Sequence, residues 1–224
     1  VEEAIEARQV ESIFYTPIED GRTREALENA AAKGIKLFCV NEAVMKKISD
    51  TETPQGIIAV CNMTHLGLEE LLSKGEMLLV LDRVGDPGNV GTMLRTADAA
   101  GVHGILLPKR RSCPLNAVVA KISAGAVEYV PVVQIGNIAQ TIEELQERGC
   151  WVVGADMDGA TYYESNLKGA LVLVIGAEGK GLGRLVKQKC DAIVSIPMVG
   201  GVSSLNASNA AAILMYEAVR QRRG

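Results

Sequence analysis

Asn89 and Arg95 stand six residues apart at the start of a helical pattern, directly after the strand-like run Met77–Leu81. The stretch between strand and helix, Asp82-Arg-Val-Gly-Asp-Pro-Gly-Asn89, is rich in turn formers, and Gly91 permits close backbone approach. An arginine there is either a solvated surface charge or a bidentate grip on a phosphate. A second loop, Gly176-Ala-Glu-Gly-Lys-Gly-Leu-Gly183, follows the apolar run Leu171–Ile175. Its glycines fit neither the phosphate loop that ends in Gly-Lys-Ser/Thr nor the dinucleotide pattern G-x-G-x-x-G. Its carboxylate, Glu178, repels phosphate and suits a cationic or hydroxyl-bearing ligand. The third stretch, Ile196 to Asn209, carries paired glycines, serines and asparagines between a β-branched strand and an alanine-rich helix. Free N–H groups at such a helix start, with the helix dipole, favour ligand binding. Each loop alone is also compatible with an ordinary strand-turn-helix connection. Three of them at strand ends point to one composite site.

The elements that must position these residues alternate along the chain. From 76 onward, strands are expected at Met77–Leu81, Gly104–Leu107, Tyr129–Val133, Cys150–Ala155, Leu171–Ile175 and Ala192–Ile196. Helices are expected near Val90–Ala100, Leu115–Ser123, Ile138–Arg148, Leu182–Lys189 and Asn206–Arg222. The strands are nearly unbroken Val/Ile/Leu runs, as in a parallel sheet covered on both faces. That reading is an open α/β domain over 76–224, with ligands at the carboxyl ends of its strands. Residues 1–61 form a smaller α/β segment, and the polar run within 62–75 reads as a linker. The chain starts in mid-helix without an initiating Met, so the small domain is expected to be truncated at its N-terminus.

Composition narrows the function. Of 224 residues, 48% are hydrophobic and 22% charged, which is ordinary for a globular protein with a sizeable core. A net charge of -4 argues against coating nucleic acid through global charge but leaves room for a local basic patch. Aromatics at 4% are too scarce for extended base stacking to be the main mode of recognition. The five cysteines are widely spaced and odd in number, so buried free thiols in a reducing cytoplasm are expected, with neither disulfides nor a zinc site. No apolar run is long enough to span a membrane, and the charged N-terminus is not a signal peptide. Trp151 and the mid-strand cysteines read as core. His65 and His103 read as surface or packing residues. Lys109-Arg110-Arg111, at a strand end on the side of the three loops, is a candidate for phosphate contact. The alanines of the last helix would let it pack closely, within the chain or against a second copy.

Asn89 with Arg95, the run Ile175-Gly-Ala-Glu-Gly-x-Gly-Leu182, and Ile196-Pro-Met through Val202-Ser-Ser-Leu-Asn206 together resemble the three signature motifs of the SpoU/TrmH ribose methyltransferases of the SPOUT superfamily. The likeness covers about 76–223, and its nearest subgroup methylates guanosines of 23S rRNA. The leading segment resembles, more loosely, the ribosomal-protein-like substrate-binding domain of that family. The resemblance implies methyl transfer from S-adenosylmethionine to an RNA ribose 2′-hydroxyl by a homodimer with a trefoil knot and an active site at its interface. It implies catalytic roles for Asn89, Arg95, Glu178, Ser204 and Asn206. It places the cofactor against Gly176, Ile196 and Leu205, with Leu107, Met198 and Ser204 nearby, and requires no metal. Arg95 and Lys109, Arg110 and Arg111 would contact RNA. A guanidinium stays protonated, so phosphate pairing and charge stabilisation suit Arg95 better than proton removal. Other readings of the residues are a nucleotide-dependent dehydrogenase or NTPase, a non-catalytic RNA-binding protein, and tRNA or antibiotic-resistance methylases within the family.

Overall fold

A computed structural model describes residues 1–7, 10–17, 20–49, 54–62, 66–73 and 75–224. The chain divides into two compact units, Val1–Thr64 and His65–Gly224. His65 and part of the expected linker lie outside the described residues.

In the first unit β1 (Val10–Tyr15) is central, parallel to β2 (Lys36–Cys39) and antiparallel to β3 (Ile57–Cys61). The helices are α1 (Glu2–Ala7), α2 (Gly21–Ala32) and α3 (Glu42–Ser49). Asp20 caps α2 by accepting from the N–H groups of Arg22 and Thr23, and Gly34, at φ 74°, lets the chain leave it. Ile5, Ile13, Ala26 and Ala30 form the small core.

The second unit holds six parallel strands in the order β6-β5-β4-β8-β7-β9. These are β4 (Met77–Asp82), β5 (Gly104–Pro108), β6 (Val132–Ile135), β7 (Trp151–Thr161), β8 (Leu171–Gly176) and β9 (Ala192–Ser195). Alternate side chains along each strand serve opposite faces. Leu79, Leu81, Ile105, Leu173 and Ile175 pack beneath α5 (Pro87–Ala100), α6 (Ala117–Ile122) and α9 (Ala207–Arg223). Leu78, Val80, Leu106, Val172 and Val174 pack beneath α4 (Leu68–Leu72), α7 (Ile138–Glu147) and α8 (Arg184–Lys189). With both faces covered, β4 and β8 are buried along their whole length, which explains their unbroken apolar runs.

Several expectations shift. β6 begins at Val132, not Tyr129: Pro131 has no N–H for a ladder, and a 3-10 turn at Ala126–Glu128 occupies the residues before it. β7 runs on to Thr161 instead of ending at Ala155, with its register to β9 shifting between Ala155 and Ala160. α5 starts at Pro87, because Asp86 caps it and proline suits a first helical position. Trp151 is 42% exposed and not core, since it sits at the entry of β7, ahead of the buried Val152 and Val153. Of the cysteines only Cys113 is buried; Cys39 is exposed and the others intermediate, all as free thiols. His103 does have a packing role, its Nδ1 accepting from the Met77 N–H at 3.3 Å. Among the described residues no helix is long and apolar enough to cross a membrane.

Candidate active site

β4, β8 and β9 end on the same side of the sheet, as parallel strands must, and each of the three motif loops follows one of them. The first loop turns into α5, where Asn89 lies in the first turn. Its own N–H donates to the capping carboxylate of Asp86 at 2.7 Å, leaving its side-chain amide free to face the other loops. The third loop ends at Asn206, the cap of α9. Its Oδ1 accepts from the Ser208 N–H at 2.9 Å, and its Nδ2 donates to Asn89 Oδ1 at 2.8 Å. Asn89 Nδ2 then reaches Glu178 Oε2 at 3.4 Å. One hydrogen-bonded chain therefore joins the three motifs, although its central Asn89 lies 117 positions from Asn206 and 89 from Glu178. Asn89 is only 6% exposed, so its amide is held in a single arrangement by partners on both sides.

The glycine loop after β8 is a tight turn. Ala177 pairs with Gly181 across it, and the Gly181 N–H donates to the Ala177 carbonyl at 2.9 Å. Gly179 and Gly181 adopt φ of 70° and 59°, which favour glycine. At Gly176 a Cβ would lie 2.2 Å from the Gly181 carbonyl carbon, so the first glycine is required by close approach of the loop to itself.

Beside this turn opens a cleft of about 510 Å³, within the usual size range of small-molecule sites. Ile175, Val194, Ile196, Pro197 and Leu205 give it apolar walls, while Glu178 and Ser204 supply polar groups. Of the residues the resemblance assigned to a cofactor, Gly176, Ile196, Met198, Ser204 and Leu205 all line the cleft. Leu107 does not; it is buried in the core of β5, two strands from β8. Arg95 is exposed further along α5 and makes no hydrogen bond or ion pair within the described residues. Lys109, Arg110 and Arg111 are exposed in the turn after β5. Among the described residues no cluster of His, Cys, Asp and Glu could hold a metal ion.

Two cleft residues escaped the sequence reading, Asp156 and Met157. They lie in the continuation of β7, where the apolar run gives way to Asp-Met-Asp-Gly and a strand end was expected. Asp156 Oδ1 accepts from Lys187 Nζ at 2.8 Å, and Asp158 takes the same ammonium at 2.9 Å. Burial alone would push the Asp156 carboxyl up, but the bonds from Lys187 and the Leu182 N–H outweigh it and hold it below the usual carboxylate range.

A parallel α/β domain with an apolar-walled cleft at its strand ends, rimmed by backbone and short polar groups, is the build of an enzyme that binds a nucleoside-like cofactor. Comparison with known proteins specifies the class. Residues 76–216 match the SpoU rRNA methylase family, and residues 1–66 match the RNA 2′-O ribose methyltransferase substrate-binding domain. The chain is 43% identical to the 23S rRNA (guanosine-2′-O-)-methyltransferase RlmB of Ralstonia nicotianae, covering 97% of this chain and 90% of that protein. It is 46% identical to the RlmB of Shewanella oneidensis, with coverage of 92% and 86%. The crystal structure of the SpoU methyltransferase AviRb from Streptomyces viridochromogenes, in complex with the cofactor AdoMet, superposes with a TM-score of 0.86 at 27% identity, over 98% of this chain and 86% of that one. The chain belongs to the SpoU rRNA methylase family and is an RNA 2′-O-ribose methyltransferase.

Proposed function

We propose that this enzyme methylates the ribose 2′-hydroxyl of a guanosine in 23S rRNA, with S-adenosylmethionine as the methyl donor. The observation that carries the residue assignment is the hydrogen-bonded chain from Asn206 through Asn89 to Glu178 beside the cleft. The cleft fits the donor chemically: apolar walls suit an adenine ring, backbone groups suit its edge, and the Glu178 carboxylate suits a cation. When bound, the cofactor supplies an electrophilic methyl group on a sulfonium. Its closest supports in this reading are Gly176, Ile196, Leu205, Met198 and Ser204.

The protein's part is to hold the ribose oxygen in line and to manage its proton. Holding the two partners in register contributes much of the acceleration. Asn89, Glu178 and Asn206 act as one unit that fixes the sugar, and Ser204 contacts substrate or cofactor. Arg95 pairs with an RNA phosphate and stabilises the negative charge developing on the 2′-oxygen. Its exposure and its lack of a partner among the described residues support an intermolecular role. In this reading a second copy of the chain completes the site, so the working form is a homodimer. Lys109, Arg110 and Arg111 contact the RNA backbone. This reading includes the trefoil knot of the family, with α9 following the edge strand β9 and packing on α5. The rRNA substrate puts the reaction in the cytoplasm.

The test is transfer of tritiated methyl from S-adenosylmethionine to 23S rRNA from a strain lacking its own methylase. The expected result is label on one guanosine with wild type and none with Arg95→Ala, whose cofactor affinity stays within a few-fold. Label appearing in tRNA alone, or full activity of Arg95→Ala, would refute the substrate or the arginine's role respectively.

A further inference from the structure

The glycine loop is fixed from outside as well as by its own turn. Its last three residues, Gly181, Leu182 and Gly183, each present a backbone group to a side chain from a neighbouring strand or the residue just after one. From β4, Asp82 Oδ2 accepts from the Gly183 N–H at 2.6 Å, and the Arg83 guanidinium reaches the Gly181 carbonyl at 3.4 Å. From β7, Asp156 Oδ2 accepts from the Leu182 N–H at 3.3 Å. β4 and β7 are the two strands that flank β8, so the loop leaving β8 is held from both sides of the sheet. Each carboxylate carries its own counter-cation: Arg83 Nε donates to Asp82 Oδ1 at 3.2 Å, and Lys187 Nζ to Asp156 Oδ1 at 2.8 Å. Asp82 is 3% exposed, and a carboxylate so buried is retained only where it is paired and hydrogen-bonded. Arg83 holds φ at 59°, a conformation that is uncommon for a residue with a side chain.

We infer that Asp82 and Asp156 are positioning residues which together clamp the glycine loop in the shape that receives the cofactor, and that the clamp sets cofactor affinity. The inference rests on the reading of the cleft as the S-adenosylmethionine site. Asp82 is not among the residues that line the cleft, so it acts through the loop. The loop carries Gly176 and Glu178, and loosening it displaces both. Arg95 and Lys109 to Arg111, read as the contacts to the RNA backbone, lie outside the clamped loop, so RNA affinity is expected to survive its loss even where the displaced Glu178 slows transfer.

Calorimetric titration of residues 1–224 with S-adenosylmethionine tests this. Asp82→Ala and Asp156→Ala should each raise Kd for S-adenosylmethionine tenfold or more, while Kd for RNA stays within threefold. Asp82→Asn and Asp156→Asn restore an acceptor oxygen and should recover most of the affinity. Amide hydrogen exchange without cofactor gives a second readout. The Gly183 amide should lose protection in Asp82→Ala and the Leu182 amide in Asp156→Ala, each leaving the other's partner protected. If Asp82→Ala does not fold, Asp156→Ala carries both measurements. Alanine variants that bind within twofold of wild type, or amides that exchange no faster, overturn the clamp. A wild type that ignores S-adenosylmethionine but shows the crossed exchange pattern removes the cofactor reading and leaves the clamp standing.

Discussion

Asn206 does two jobs with the two ends of one amide. Its oxygen caps α9 and its nitrogen holds Asn89. The two are separable: Asn206→Asp keeps a capping oxygen but has no donor for Asn89, whereas Asn206→Ala loses both. Alanine should lower stability by about 1 kcal/mol more than aspartate, the worth of the lost cap, measured by denaturant unfolding. Aspartate should keep the cap and lose only the roughly 1–3 kcal/mol that an unpaired buried Asn89 oxygen costs, yet both should cut methyl transfer tenfold or more, because Asn89 loses the donor that orients it. The thiols allow another check. Cys39 is exposed and should label first with maleimide, while Cys190, whose thiol burial pushes up to about 12, should stay unlabelled until the chain unfolds. Asp156 links the site to pH. Its carboxyl titrates below the usual range in the folded state, so its contribution to stability is present at neutral pH and is lost as pH falls through that lowered value. Asp156→Asn should therefore flatten the acid end of the stability profile.

At the scale of elements, close approaches decide what each segment tolerates. A Cβ on Gly91 would stand 2.7 Å from Ile122, so α5 and α6 meet through that glycine and not through a ligand. Gly91→Ala should cost about 1–3 kcal/mol, read as a fall in Tm. The apolar runs of β4, β5 and β8 were legible because burial on both faces removes any polar interruption. The same rule misled where polarity serves the site. β7 continues through Asp156, Met157 and Asp158, and the apolar pattern breaks there because the strand has become the wall of the cleft. Trp151 shows the converse, a large apolar residue left half in solvent at a strand entrance where hydrophobicity alone argues for core. The glycine loop was recognisable as a loop, but its outside supports were not, since nothing local in Asp82-Arg83 announces that they bind residues about a hundred positions away.

For the molecule as a whole, the two units suggest a division of labour that can be cut. Residues 65–224 have their own two-layered core and should fold and bind S-adenosylmethionine alone, while losing most methyl transfer to 23S rRNA. Parallel architecture was readable from periodicity, whereas the meeting of Asn89, Glu178 and Asn206 was accessible only through likeness to a family, because no local pattern encodes which loops converge. That convergence bears on synthesis. A chain growing from its N-terminus makes Asn89 and Glu178 before Asn206. Competence must then wait for Asn206 and the helix it caps, and a stop codon placed just before Asn206 would leave all six parallel strands around a pocket that transfers nothing. The last tie of the site is thus made after every strand of its sheet has been synthesised.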